Sequence, residues 1–194
     1  MQTDIQLKIR NYFKAIPYGA VERESSRSSN HGFKNVKGRP KEAEAIPELQ
    51  HNDALKSAIL RLNETTTPFF TIGCESKMNN EGGVWWMRGY IEFAFNYPQL
   101  VTDAQNYFKL FYDFNFSVFD SKLDEPVQFS WELEGAAFRD NIRCDGFSVT
   151  VWITTKDLPD ERQTRGAWER AVLFLTDFLK RQPPIRLPMI YSTT

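Results

Sequence analysis

At 194 residues, with 41% hydrophobic and 25% charged positions, the chain has the size and composition of one globular domain with an ordinary core. No apolar run approaches the ~20 residues of a membrane span, and no basic-then-apolar leader opens the chain, so a cytoplasmic protein without a membrane partner is expected. Cys74 and Cys144 are the only cysteines and lack CxxC spacing, which excludes a disulfide framework and a cysteine zinc site.

The net charge of −1 hides an asymmetry. Met1–Lys41 carries nine Lys/Arg against three Asp/Glu, a net of +6, while the remainder carries fifteen against twenty-two, a net of −7. A basic arm on an acidic body points to an anionic partner or to an arm that lies back on its own domain. The expected organisation is an N-terminal helix and basic polar arm over 1–46 and a single α+β domain over 47–194.

Asp4–Ile16 places Ile5, Ile9, Tyr12, Phe13 and Ile16 near helical spacing before Pro17, which predicts a helix. Tyr18–Lys41 is rich in Ser, Gly and charge and poor in apolar residues, which predicts a flexible loop or an arm ordered by a partner. Pro47–Leu62 reads as a helix, with Leu55, Ala58, Ile59 and Leu62 on one stripe. Phe69–Glu75 reads as a strand, and Lys77–Gly83 as its turn into the next.

Val84–Phe95 is the clearest element, alternating for twelve residues. Trp85, Met87, Ile91, Phe93 and Phe95 take one side, and Trp86, Arg88, Tyr90 and Glu92 the other. Gln99–Phe114 follows as an apolar-striped helix. A second amphipathic strand, Val127–Glu134, sets Phe129, Trp131 and Leu133 against Glu132 and Glu134. Phe147–Thr155 is a β-branched strand that puts Trp152 on the polar side. A last helix carries Trp168, Ala171, Val172, Leu175, Phe178 and Leu179 and stops at Pro183-Pro184, leaving an extended tail. Leu173 and Phe174 widen its apolar surface, so it is either buried on two sides or meets another chain.

The order from Phe69 onward is ββαββα. It predicts an α+β fold with a four-stranded, mainly antiparallel sheet and helices packed on one face, preceded by the N-terminal helix and the basic flexible arm.

Chemistry-bearing patterns are sparse. Glu75-Ser76-Lys77 at a strand end matches the E-x-K of metal-dependent nucleases, where acids hold a cation and the lysine stabilises developing charge; no Pro-Asp strand precedes it, and a charged turn explains it as well. Lys37-Gly38-Arg39-Pro40-Lys41 contains the Gly-Arg-Pro core of a minor-groove hook, with Lys34 adding charge nearby. His31 and His51 have no partner at ligand spacing, so neither a histidine-based catalytic site nor a metal site is expected, and no cofactor is implied. Glu132 and Glu134 share a face as a carboxylate pair would, and a ladder of surface charges with Arg88 and Glu92 on another strand is the simpler role.

The residues therefore favour a non-enzymatic protein-binding module or adaptor working through an aromatic, charged sheet face and an apolar helix surface. Its expected contact residues are Trp86, Arg88, Tyr90, Glu92, Glu132, Glu134 and Trp152, and a homo-oligomer is one form the partner could take. The alternative is a nucleic-acid-associated protein, with nuclease activity as its extreme, that uses residues 18–41 through Lys34, Lys37, Arg39 and Lys41.

Overall fold

Alternation of apolar and polar side chains builds five strands, β1 (Asp4–Ile16), β2 (Phe69–Glu81), β3 (Val84–Phe95), β4 (Val127–Phe138) and β5 (Asp145–Thr155), into one sheet of order β1-β4-β5-β3-β2. The structure is a computed structural model that describes residues 3–19, 31–121, 123–140 and 142–182. Every neighbouring pair is antiparallel except β1 and β4, which run parallel. The mixed α+β class is as expected; the four-stranded sheet and the N-terminal helix are not.

The helix expected over Asp4–Ile16 is the fifth strand, and the cause of the misreading is visible. Ile5, Leu7 and Ile9 alternate as a strand should, in register with Phe129, Trp131 and Leu133. An irregularity between Ile9 and Phe13 then inserts extra residues, so that Phe13 pairs with Gly135. That bulge turns a period of two into spacings of three and four, which imitate a helix. Counting β1 and every α-helix, the element order is βαββααββα and not the expected ββαββα.

β2 also runs six residues longer than expected. It meets β3 through a two-residue turn at Gly82 and Gly83, both in the left-handed region at φ 60° and 84°, as a tight hairpin requires.

Three helices cover one face. α1 (Asp53–Leu62) starts on Asn52, whose side chain accepts a hydrogen bond from the Leu55 amide, and α4 (Glu161–Lys180) starts on Asp160, which accepts from the Gln163 amide. A single turn, α2 (Pro98–Val101), leads into α3 (Ala104–Ser121). α1 packs on β2 and α4, and α4 crosses β3 and β5. α3 lies over β4: the Phe114 ring stands 5.0 Å from Phe129, 5.4 Å from Trp131, 5.9 Å from Phe174 and 5.2 Å from Phe178. Phe174 thus helps close the seam between α3 and α4.

Trp131, Phe93, Phe129, Leu133, Trp168, Leu175 and Phe178 are buried together as their spacing predicts, whereas Trp85 and Phe108 are only half-buried. Among the described residues no helix packs over β1, and Ile9 is 71% and Phe13 56% exposed on the helix side of the sheet.

The basic arm needs a correction as well. Residues 31–49 lie against the body, with Val36, Ala43 and Leu49 buried and two short 3-10 helices at Pro40–Ala45 and Pro47–Leu49. Phe33 and Ile46 pack against the same core, so a few apolar side chains spaced along the segment anchor it. The rest of the expected flexible stretch, 20–30, and the extended tail from Pro183 lie outside the described residues. Among the described residues no helix is long and apolar enough to cross a membrane.

Candidate interaction face on the open side of the sheet

Side chains that alternate away from the helices gather on one sheet face. β3 supplies Trp86, Arg88, Tyr90 and Glu92, β4 supplies Ser130, Glu132 and Glu134, and β5 supplies Ser148, Thr150 and Trp152. The registers Tyr90↔Trp152, Ser130↔Trp152 and Glu92↔Thr150↔Glu132 align them in rows. Edge strand β1 adds Lys8, Arg10 and Lys14, a contribution hidden from the sequence once that segment was read as a helix.

The face has two halves. Near the start of β2 it is roofed by the chain leaving β1. The Tyr18 hydroxyl donates to the Ile72 carbonyl at 3.1 Å, the Phe33 amide donates to the Tyr18 carbonyl, and the two rings meet edge to face at 6.4 Å. Ile16, Phe70 and Phe138 are buried there, with the last two rings 5.9 Å apart.

Beneath this edge lies a charged cluster. Lys14 Nζ sits 2.5 Å from Glu92 Oε1 and is also bonded to Glu134. Glu92 is 6% exposed. Burial pushes its carboxyl above the ordinary range; Lys14 pulls it back, and the Glu134 charge adds to the rise. Burial would lower the Lys14 ammonium, but Glu92 and Glu134 together outweigh it and hold its pKa up. Burial likewise raises the Tyr18 and Tyr90 hydroxyls, and it pushes the Cys74 thiol to about 12, which leaves that cysteine unreactive near neutral pH.

The other half is open among the described residues. The Arg88 guanidinium lies 4.2 Å over the Trp152 ring, and Trp152 packs on Tyr90 with centroids 4.7 Å apart. Trp152 Nε1 donates to Glu132 at 3.3 Å, and Glu132 in turn takes Arg10 at 2.5 Å and Lys8 at 3.9 Å. Trp86, Tyr90 and Trp152 are half-buried and Arg88 is exposed. The aromatic surface is therefore held by charged groups from three strands, β1, β3 and β4.

Of the seven expected contact residues, Trp86, Arg88, Tyr90, Glu132 and Trp152 line the open half. Glu92 and Glu134 belong instead to the roofed cluster. Lys34, Arg39 and Lys41 are exposed, and Arg39 approaches Glu42 at 3.9 Å. Lys37 is committed internally: Nζ donates to the carbonyls of Glu64, Thr67 and Phe69 at 2.6–2.7 Å and to the Thr67 hydroxyl at 2.8 Å. Burial lowers its pKa to about 8, while Glu64 favours the proton. Glu75 and Lys77 pair with Tyr90 and Arg88 at the β2 edge. Among the described residues no group of three His, Cys, Asp or Glu could hold a metal ion. No protein-family model, curated protein or solved structure matches this chain.

Proposed function

We propose that this chain is a cytoplasmic, non-enzymatic protein-binding module whose contact surface is the open half of the sheet, centred on Trp86, Arg88, Tyr90 and Trp152. The single observation that carries the reading is the ordered Arg88–Trp152–Tyr90 stack on a face that no described element covers. Rigid rings and an arginine bury large areas on binding at little entropic cost, which is why these residue types dominate interface hot spots. Glu132, Arg10 and Lys8 supply the polar rim such an interface needs.

The test pairs Trp86→Ala with Arg88→Glu in the full chain, both at positions with little role in the core. The protein that co-purifies with the wild type should be lost while the melting temperature stays within a degree or two. A fall of several degrees, as expected for about 1–2 kcal/mol of lost packing, would assign the face to the fold. A co-purifying nucleic acid released steeply by salt would favour the nucleic-acid reading instead.

A further inference from the structure

Beyond that face, the helix side of the sheet has a position that no described residue fills. Among the described residues three helices lie over β2, β3, β5 and β4, and none packs over β1. The side of α3 turned away from the sheet is apolar as well, and so is the helix-side surface of β1. Tyr112, Phe116 and Phe119, spaced four and three residues apart, are 57%, 64% and 81% exposed on α3, and Ile9 is 71% exposed on β1. Phe111 and Phe114 hold α3 to Trp131 on β4, so α3 cannot slide over to cover β1. Four large apolar side chains left open on one side of a small protein mark an interface and not a solvated surface.

We infer that a second copy of this chain occupies the position, the two copies meeting β1 to β1 and α3 flank to α3 flank across a two-fold axis. Three observations select this occupant. First, an isologous contact must be self-complementary, and one antiparallel register of β1 on itself is. Centred on Leu7, it places Leu7 against Leu7 and Ile5 against Ile9 on the helix side. On the other side it sets Gln6 against Lys8 and Asp4 against Arg10, which are opposite charges. Centring on Ile9 would oppose Lys8 to Arg10, and it would run into the irregularity that follows Ile9.

Second, the spacing fits. Passing from β4 through both β1 strands to the partner's β4 spans about 14 Å at ~4.8 Å per strand, wider than the 8–10 Å of ordinary helix packing. The surplus is what a layer of Phe and Tyr rings from both α3 helices would fill.

Third, the area suffices. At about 200 Å² per side chain of this size, the exposed parts of Ile9, Phe13, Tyr112, Phe116 and Phe119 amount to roughly 600–700 Å² per copy. With the strand backbones added, this reaches the ~800 Å² per partner of a standard interface. The bulge and the charges of β1 are the devices that protect edges from indiscriminate pairing; the Leu7 register leaves the first outside and pairs the second.

The test is the oligomeric state of the full chain by sedimentation. A dimer is expected at concentrations up to about 100 μM, with Phe116→Asp/Phe119→Asp weakening it at least ~10-fold and leaving the circular dichroism spectrum unchanged. Leu7→Cys in a Cys144→Ser background should form a disulfide between copies on mild oxidation, because directly opposed residues lie within disulfide range. That cross-link decides the matter should the double aspartate variant fail to fold. A wild type that stays monomeric, a dimer indifferent to both α3 substitutions, or a Leu7→Cys variant that does not cross-link would each overturn the inference. So would a monomer that uses this flank for a different protein.

Discussion

Lys14 Nζ lies 2.5 Å from Glu92 Oε1, joining edge strand β1 to β3 across the two strands between them. Lys14 stands in register with Ala136, and Ala136 with Gly146 on β5, so small residues leave its stem room to lie along the sheet. One ammonium thereby serves two carboxylates, Glu92 and Glu134, in a site shielded from water. Removing it strands both. Lys14→Met should lower stability by about 3–5 kcal/mol, the cost of leaving a buried charge uncompensated, measured by urea denaturation at neutral pH.

Glu92 gives this cluster a pH dependence with a definite sign. Its folded-state pKa is raised from 4.5, chiefly by burial. The stability it contributes is therefore complete below 4.5 and is lost as pH rises through the folded-state value. Glu92→Gln should flatten that decline and be at least as stable as the wild type at neutral pH, with Lys14 still bonded to Glu134. Melting curves across the acid-to-neutral range check it. A steeper decline in the variant would mean that Glu92 is ionised throughout and that its pairing with Lys14 outweighs its burial.

Lys37 acts as a clamp between the segment after β1 and the start of β2. Its truncation to Ala leaves the carbonyls of Glu64, Thr67 and Phe69 short of a donor. The expected cost is about 2 kcal/mol. Salt-dependent binding to duplex DNA should be no different in the Ala variant, since the ammonium faces inward. Both are measurable on one preparation.

Trp131 stands at the centre of the aromatic core, with Phe93, Phe111 and Phe114 rings within 6.2 Å of it. Trp131→Ala should cost about 3–5 kcal/mol, a large share of the 5–15 kcal/mol that holds a domain together. A soluble variant with an unchanged melting temperature would contradict the registry of β4 against α3.

Gly89 is needed for space. A Cβ there would collide with the Glu75 carbonyl oxygen on β2 and lie 2.5 Å from the Trp168 ring, which is fully buried and donates to the Ile153 carbonyl. Neither neighbour can yield without disturbing a strand pair or the seat of α4. Gly89→Ala should destabilise by about 1–3 kcal/mol through overpacking, read as a lower denaturation midpoint.

The sequence by itself determined what rests on local period. The twelve-residue alternation of β3, the alternation of β4 and the stripes of α1, α3 and α4 each state their structure, because burial on one face repeats every two or every 3.6 residues. Those periods also placed Trp86, Arg88, Tyr90, Glu132 and Trp152 on one face before any fold was known. What only the tertiary structure decided depends on long-range pairing. β1 joins β4 more than a hundred residues away, and its bulge blurs the one local signal it had. Lys14 and Glu92 are 78 positions apart, so their union appears only when four strands stand side by side. Lys37 looked like a surface cation because its partners are mostly backbone oxygens, which every sequence contains. The exposed apolar side of α3 was not legible, because the stripe read over Gln99–Phe114 is the side that faces the core and Phe116 and Phe119 lie beyond it; that no described helix stands over β1 follows from how three helices share five strands.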